Sequence, residues 1–415
     1  MCNQFTEHHE VVNLIKDLKE EGIENKVFSN VVDENNKQYV DIVMEGGGVL
    51  GLALVGYTYV LEQMGIRFLG IGGTSAGAIN ALFQAACGIP HEAKTEKIIS
   101  ILAETNFYRF VDGDDDARDF IDAFVGGART LKLFWKGWQV IDNINEDLGL
   151  NPGEEFLSWL TEELQKESIN TSQDLQAKMN TFPHPLKLRG DGSELPLDDV
   201  KSKLVFISSD LTTDTKAQFP QMAGLYWENP ESVNPAEFVR ASMSIPFFFH
   251  PYIVKNIPQG TEAISQWRKH ALYKGAIPKE VYFVDGGVMS NFPIDLFHRK
   301  NFGVPNRPTF GVKLGFERQN IRNIKGPISF LGAIFDNARH TLDNDFIKRN
   351  PDYKHLVSYI NTDDYNWIDF KISNENKVGL FVEGAKTAAD FLRKFDWQKY
   401  LQERQAIENA FCSRT

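Results

Sequence analysis

Apolar residues recur along the chain with two different periods, and the alternation between those periods outlines the fold. The stretch from Tyr39 to Met44 is a short β-branched run that ends in Gly46, Gly47 and Gly48. Leu52, Val55, Tyr59 and Met64 then fall on one face of a predicted helix, with Gly65 as its stop. A second apolar run, Phe68, Leu69 and Ile71, leads into Gly73-Thr-Ser-Ala-Gly77, and a second helix is predicted from Ala76 to Cys87. Strand, glycine loop, helix, strand, sharp turn and helix make a βαβα unit. Ahead of it, Val11, Leu14, Ile15 and Leu18 have the spacing of an amphipathic helix that packs on the core.

Beyond the unit the pattern loosens. Residues 95–200 read as a mostly helical insertion, closed by a loop marked by Pro183, Pro185, Gly190 and Gly192. Regular alternation returns with strands from Lys203 to Ile207, Val281 to Val284, Pro308 to Leu314 and Val357 to Ile360. Helices are predicted from Pro235 to Met243, Ser329 to about Lys348 and Val382 to Phe395. Continuous apolar strands alternating with helices predict an α/β fold, a mostly parallel sheet between helical layers. The expected organisation is an N-terminal helical extension over 1–38, a central domain over 39–300 that carries the insertion, and a C-terminal part of the same domain over 301–415.

Composition narrows the classes. With 415 residues and 42% hydrophobic content the chain can bury a large core. A net charge of −12 argues against general nucleic-acid binding, which needs a basic footprint, while leaving room for a local membrane-contacting patch. Cys2, Cys87 and Cys412 are scattered and odd in number, so neither a disulfide framework nor a metal cluster is expected. The N-terminus lacks a basic region followed by an apolar core, and no apolar run reaches the roughly 18 residues of a membrane span. The expectation is a cytoplasmic protein without signal peptide or transmembrane segment, at most peripheral at a membrane. The acidic loop from Asp112 to Asp116 lacks the closing Glu of an EF-hand and reads as solvated. Two aromatic stretches bear on membrane contact. Phe247-Phe-Phe249 is expected to be buried. Trp135 and Trp138, with Lys132 and Lys136, form either a core-packed helix or a lipid-facing lid.

The candidate chemistry sits at the turns. Gly73-Thr-Ser75-Ala-Gly77 at a strand-to-helix junction has the form of a nucleophile elbow, in which small residues let the chain fold tightly and expose the serine. Asp285-Gly286-Gly287 also follows directly on a strand, and sites in open α/β sheets lie at the carboxyl ends of strands. Taken alone, Asp285 is as readily a turn former as a catalytic group. Gly46-x-Gly48-x-x-Gly51 formally matches a dinucleotide fingerprint, but the second strand ends in Gly72-Gly-Thr-Ser where that motif needs an acidic residue. A Ser-Asp-His triad would need His298, which beside Arg299 and Lys300 reads as a solvated helix end. A lipid-binding protein with a silent site, and a toxin or defence effector held inactive until triggered, are the remaining alternatives.

Four blocks in order, Glu45-Gly-Gly-Gly-Val-Leu-Gly51, Gly73-Thr-Ser-Ala-Gly77, Arg240-Ala-Ser-Met-Ser-Ile-Pro246 and Asp285-Gly-Gly-Val-Met-Ser-Asn-Phe-Pro293, resemble the motifs of patatin-like phospholipases over about residues 40 to 300. The resemblance implies a lipid acyl hydrolase in which Ser75 is the nucleophile, Asp285 its partner in a Ser-Asp dyad, and the amides of Gly46, Gly47 and Gly48 the oxyanion hole. The chain departs from the family pattern at Leu50, where a basic residue is usual. The implied partner is a lipid or membrane-surface substrate, with no metal or organic cofactor required. A carboxylate of ordinary pKa about 3.9 is a weak base, and Tyr282, Phe283 and Phe292 are the neighbours expected to raise it by desolvation.

Overall fold

The computed structural model describes residues 3–115, 118, 147–297, 303–315, 348 and 350–412. Strand β1 (Gln38–Met44) is buried along its whole length, and its alternate side chains enter different cores. Val40, Ile42 and Met44 join the main apolar cluster, while Tyr39 packs with Leu186 and Leu195, and Val43 with Phe292 and Ile294. A strand apolar on both faces requires cover on both, and this is the environment of a central strand in a parallel sheet.

Five strands run parallel in the order β8 (Val357–Ile360), β7 (Thr309–Leu314), β1, β2 (Ile66–Thr74), β3 (Leu204–Asp210). The sheet then turns antiparallel: β4 (Thr215–Phe219) and β6 (Glu280–Asp285) both pair with β3, and β5 (Tyr252–Lys255) pairs with β6. Helix α1 (His9–Glu20) buries Val11 and Leu18 and packs, as expected, on the body of the fold. Helix α2 (Gly51–Gln63) connects β1 to β2, and α3 (Ala76–Ala86) follows β2. The expected one-sided character of α2 is not found: every residue from Gly51 to Glu62 is buried. The reason is α7 (Asn374–Lys394), which lies against α2 so closely that a Cβ added at Gly56 would stand 1.9 Å from the Phe381 carbonyl oxygen, and one at Gly384 1.9 Å from that of Ala53. Helix α7 also begins earlier than the predicted Val382, with the Ser373 hydroxyl accepting the Asn376 N–H at its start.

Among its described residues the insertion is mostly helical, with α4 (Thr95–Glu104) and α5 (Glu154–Lys166) as its longest elements. The Asp112 carboxylate is not simply solvated; it accepts the N–H groups of Gly153 (3.0 Å) and Glu155 (3.1 Å) at the start of α5. Two short strands, Gly149–Asn151 and Phe247–Phe249, pair in parallel. In the second, Phe248 and Phe249 are buried as expected, but Phe247, which opens the strand with a left-handed φ of 65°, is 47% exposed. The Trp135 and Trp138 stretch, the helix predicted from Ser329 and His298 lie outside the described residues. Among the described residues no helix is long and apolar enough to cross a membrane.

Candidate active site

Strand β3 carries two partners on one edge, and their tips meet. The pairing of β2 with β3 ends at Thr74, opposite Ile207; that of β6 ends at Asp285, opposite Ser208, the next residue. Strand β4 pairs with β3 from Phe206 to Asp210 and so occupies the other edge. The carboxyl ends of two strands that run in opposite directions are thereby brought to one point of the sheet. Gly286 seals the junction: a Cβ there would lie 2.1 Å from the Ile207 carbonyl oxygen and 2.9 Å from Thr74 Cγ2. The Thr74 hydroxyl donates to the Ser290 carbonyl across the same junction, 2.9 Å.

Ser75 takes the chain from β2 into α3 with φ 53° and ψ −119°, a backbone conformation that costs a non-glycine residue of order 1–3 kcal/mol. The turn is held from outside. The Ser75 amide donates to the Ser242 hydroxyl (3.0 Å), which in turn donates to the Ile207 carbonyl (2.6 Å). Ser242 closes α6 (Pro235–Ser242). The Ser75 carbonyl accepts the α3 amides of Ala78 and Ile79. Ser75 is 2% exposed and Asp285 6%. Asp285 Oδ1 accepts the Gly287 N–H at 2.7 Å, a tight turn that the glycine pair permits. The Asp285 amide donates to the Ser244 carbonyl, and buried Arg240 donates both to the Ser244 hydroxyl and to the Pro152 carbonyl. Of the three aromatic neighbours expected around Asp285, only Phe283 shares its face of β6. Tyr282 turns to the other face and donates its hydroxyl to Glu280, and Phe292 packs in a separate cluster with Val43 and Tyr353.

The glycine loop lies directly over Ser75. A Cβ on Gly46 would be 2.9 Å from Ser75 Cβ, and one on Gly48, at φ 57°, 2.1 Å from the Trp367 carbonyl oxygen. The Gly46 amide donates to the Asn291 carbonyl (3.3 Å), and Asn291 Nδ2 donates back to the Gly46 carbonyl (3.2 Å). The Gly46 amide is thereby engaged within the protein. The loop is anchored at its root by Glu45, whose Oε2 accepts the Leu314 N–H (2.7 Å) and whose Oε1 lies 3.0 Å from buried Lys313 Nζ, outside hydrogen-bond geometry, so that this second contact is coulombic. Leu50 is buried among apolar residues, an environment that accounts for the absence of a basic side chain at that position.

An apolar cavity of about 60 Å³ opens on Ser75, Gly48 and Ala76. Its opposite wall comes from the insertion: Leu102 of α4, Phe107 and Phe110 after it, and Phe156 and Trp159 of α5. The insertion, which no motif explains, is thus a structural part of the site. Sequence reasoning assigned no role to Ser242, Asn291 or Lys313. The first two lie inside the quoted motif blocks. Lys313, a cation between Val312 and Leu314 in an apolar strand, carries its own sign of a buried ion pair.

A family model described as patatin-like phospholipase matches residues 42–298. The uncharacterized protein YqhO of Bacillus subtilis (strain 168) is 30% identical over 364 residues, covering 86% of this chain and 100% of that one. Among solved structures, VipD from Legionella pneumophila aligns with a TM-score of 0.42 at 13% identity, over 89% of this chain and 70% of the other. The family match spans the sheet from within β1 to beyond the turn that ends β6, and on it the chain belongs to the patatin-like phospholipases, a family of lipid ester hydrolases.

Proposed function

We propose that the protein cleaves carboxylic esters of lipids with Ser75 as nucleophile and Asp285 as general base. The observation that carries this reading is the junction on β3, where a strained serine turn and a strand-end aspartate meet beneath an apolar cavity. Ser75 Oγ attacks the acyl carbonyl and its proton passes to Asp285. Negative charge on the carbonyl oxygen is met by the amides of Gly47 and Gly48, where loss of one donor typically costs about 2.7–4 kcal/mol. Ser75 also precedes the N-terminus of α3, whose dipole favours the same charge. The Asp285 proton leaves with the alcohol. Water, activated by the carboxylate, then releases the fatty acid and restores the serine. No step calls for a metal or organic cofactor.

Ser75→Ala is expected to abolish ester hydrolysis with the fold intact, and a fluorophosphonate probe to label Ser75 in the wild type. Asp285→Asn should lose about 10⁴-fold or more, and the double variant should be no worse than either single one, because groups acting as a unit are not additive. Turnover retained in a clean Ser75→Ala preparation would refute the assignment. Mass spectrometry of the products from mixed-lipid vesicles identifies the lipid class.

A further inference from the structure

The cavity over Ser75 ends against aromatic rings. Trp159 packs on Phe83, Phe110 and Phe156 with ring centroids 5.7, 5.1 and 5.7 Å away. One side of this tryptophan lines the apolar cavity. It also lines an open groove of about 470 Å³ between α4 and α5, bordered by Lys97, Arg109 and Lys166. Those three cations pair with Glu167, Glu155 and Glu163, so the groove is a hydrated, charge-balanced surface. Trp159 thus borders both the apolar space above the serine and a hydrated groove.

The space on the serine side is small. At about 60 Å³ it falls well below the roughly 150 Å³ of an apolar cavity that accommodates benzene. An acyl chain that extends from Ser75 toward α5 would have to push Trp159 out of a packed aromatic cluster, and close-packed interiors resist such overpacking. We infer that Trp159 is the chain-length stop of the acyl site, so that the preferred substrates are esters of short acyl groups whose terminal methyl meets the indole. This rests on the hydrolase reading and adds the substrate class to it. The specificity is built by the insertion, since α5 supplies both Trp159 and Phe156.

The test compares full-length wild type, Trp159→Ala and Trp159→Phe on the p-nitrophenyl esters of butyrate, octanoate, laurate and palmitate, with Ser75→Ala as control. Wild type should prefer butyrate. Trp159→Ala joins the cavity to the groove, and its laurate-to-butyrate ratio of kcat/KM should rise about tenfold or more, on the scale by which pocket fit discriminates added methylenes. Trp159→Phe keeps a ring in place if the alanine variant fails to fold, and should raise the ratio by a smaller factor. A wild type that prefers palmitate, or active variants in which all esters change in parallel, would overturn the chain-length stop while leaving the hydrolase reading intact. Absence of ester hydrolysis in the wild type, or full activity in Ser75→Ala, would defeat the hydrolase reading and this inference with it.

Discussion

Lys313 and Glu45 form a charged pair, 4% and 1% exposed, at the root of the glycine loop. Removing one partner leaves the other as an uncompensated buried charge, so Lys313→Met should cost about 3–5 kcal/mol, read as a lower urea midpoint. The Glu45→Gln/Lys313→Met double variant should regain most of that loss, since it removes both charges; a double variant as unstable as the single one would show that the pair is not the cause. Ser208 gives the opposite case. Its hydroxyl is fully buried opposite Asp285 and has no hydrogen-bond partner among the described residues. Ser208→Ala should therefore leave the melting temperature unchanged or raise it slightly, because no bond is broken and a desolvated polar group disappears. Ser75 and Asp285 could be picked out in the sequence because Gly73 and Gly77 bracket the one and Gly286 and Gly287 directly follow the other. The supports of those residues could not. Ser242 acts on the Ser75 amide and Asn291 on the backbone of Gly46, and a side chain that bonds backbone atoms far away in the chain leaves no local trace.

At the scale of elements, the α2–α7 contact makes the sharpest prediction. Helix propensity alone would favour Gly56→Ala by up to about 1 kcal/mol. The 1.9 Å approach of a Cβ to the Phe381 carbonyl oxygen reverses that sign, and overpacking of this kind typically costs about 1–3 kcal/mol. A stabilised Gly56→Ala protein in thermal unfolding would mean that the two helices separate more easily than their packing implies. The same contact explains where periodicity misled. A helix buried all round has no preferred face, so the apparent stripe of Leu52, Val55 and Tyr59 in α2 was part of a wholly buried surface. The start of α7 was hidden because its first turn, Asn374-Glu-Asn-Lys377, is polar. The strands were legible because burial on both faces leaves continuous apolar runs between glycine and proline stops. Their antiparallel continuation through β6 and β5 was not, since direction depends on the long connections between strands.

For the molecule as a whole, a buried cation sets a pH dependence. Lys94 lies between α3 and α4, donates to the Gln84 carbonyl at 2.6 Å and stands beside Glu62, whose carboxyl burial holds above the usual range. Burial lowers the Lys94 ammonium from 10.5 to about 8. Between those values the unfolded chain holds more protons than the folded one, so this residue's contribution to stability rises with pH through the window and is least favourable below about pH 8. Denaturation curves of wild type and Lys94→Met should converge or cross as pH rises from 8 towards 10.5; a constant difference would show that Lys94 keeps its ordinary affinity for protons. The tip-to-tip junction on β3 has a consequence in time. Its two strand ends come from distant parts of the polypeptide, and at about 5–20 residues per second roughly 10–40 s separate the synthesis of Ser75 from that of Asp285. A ribosome-bound chain thus carries the proposed nucleophile for that whole interval without the proposed base, so on this reading ester hydrolysis cannot begin before Asp285 has been made.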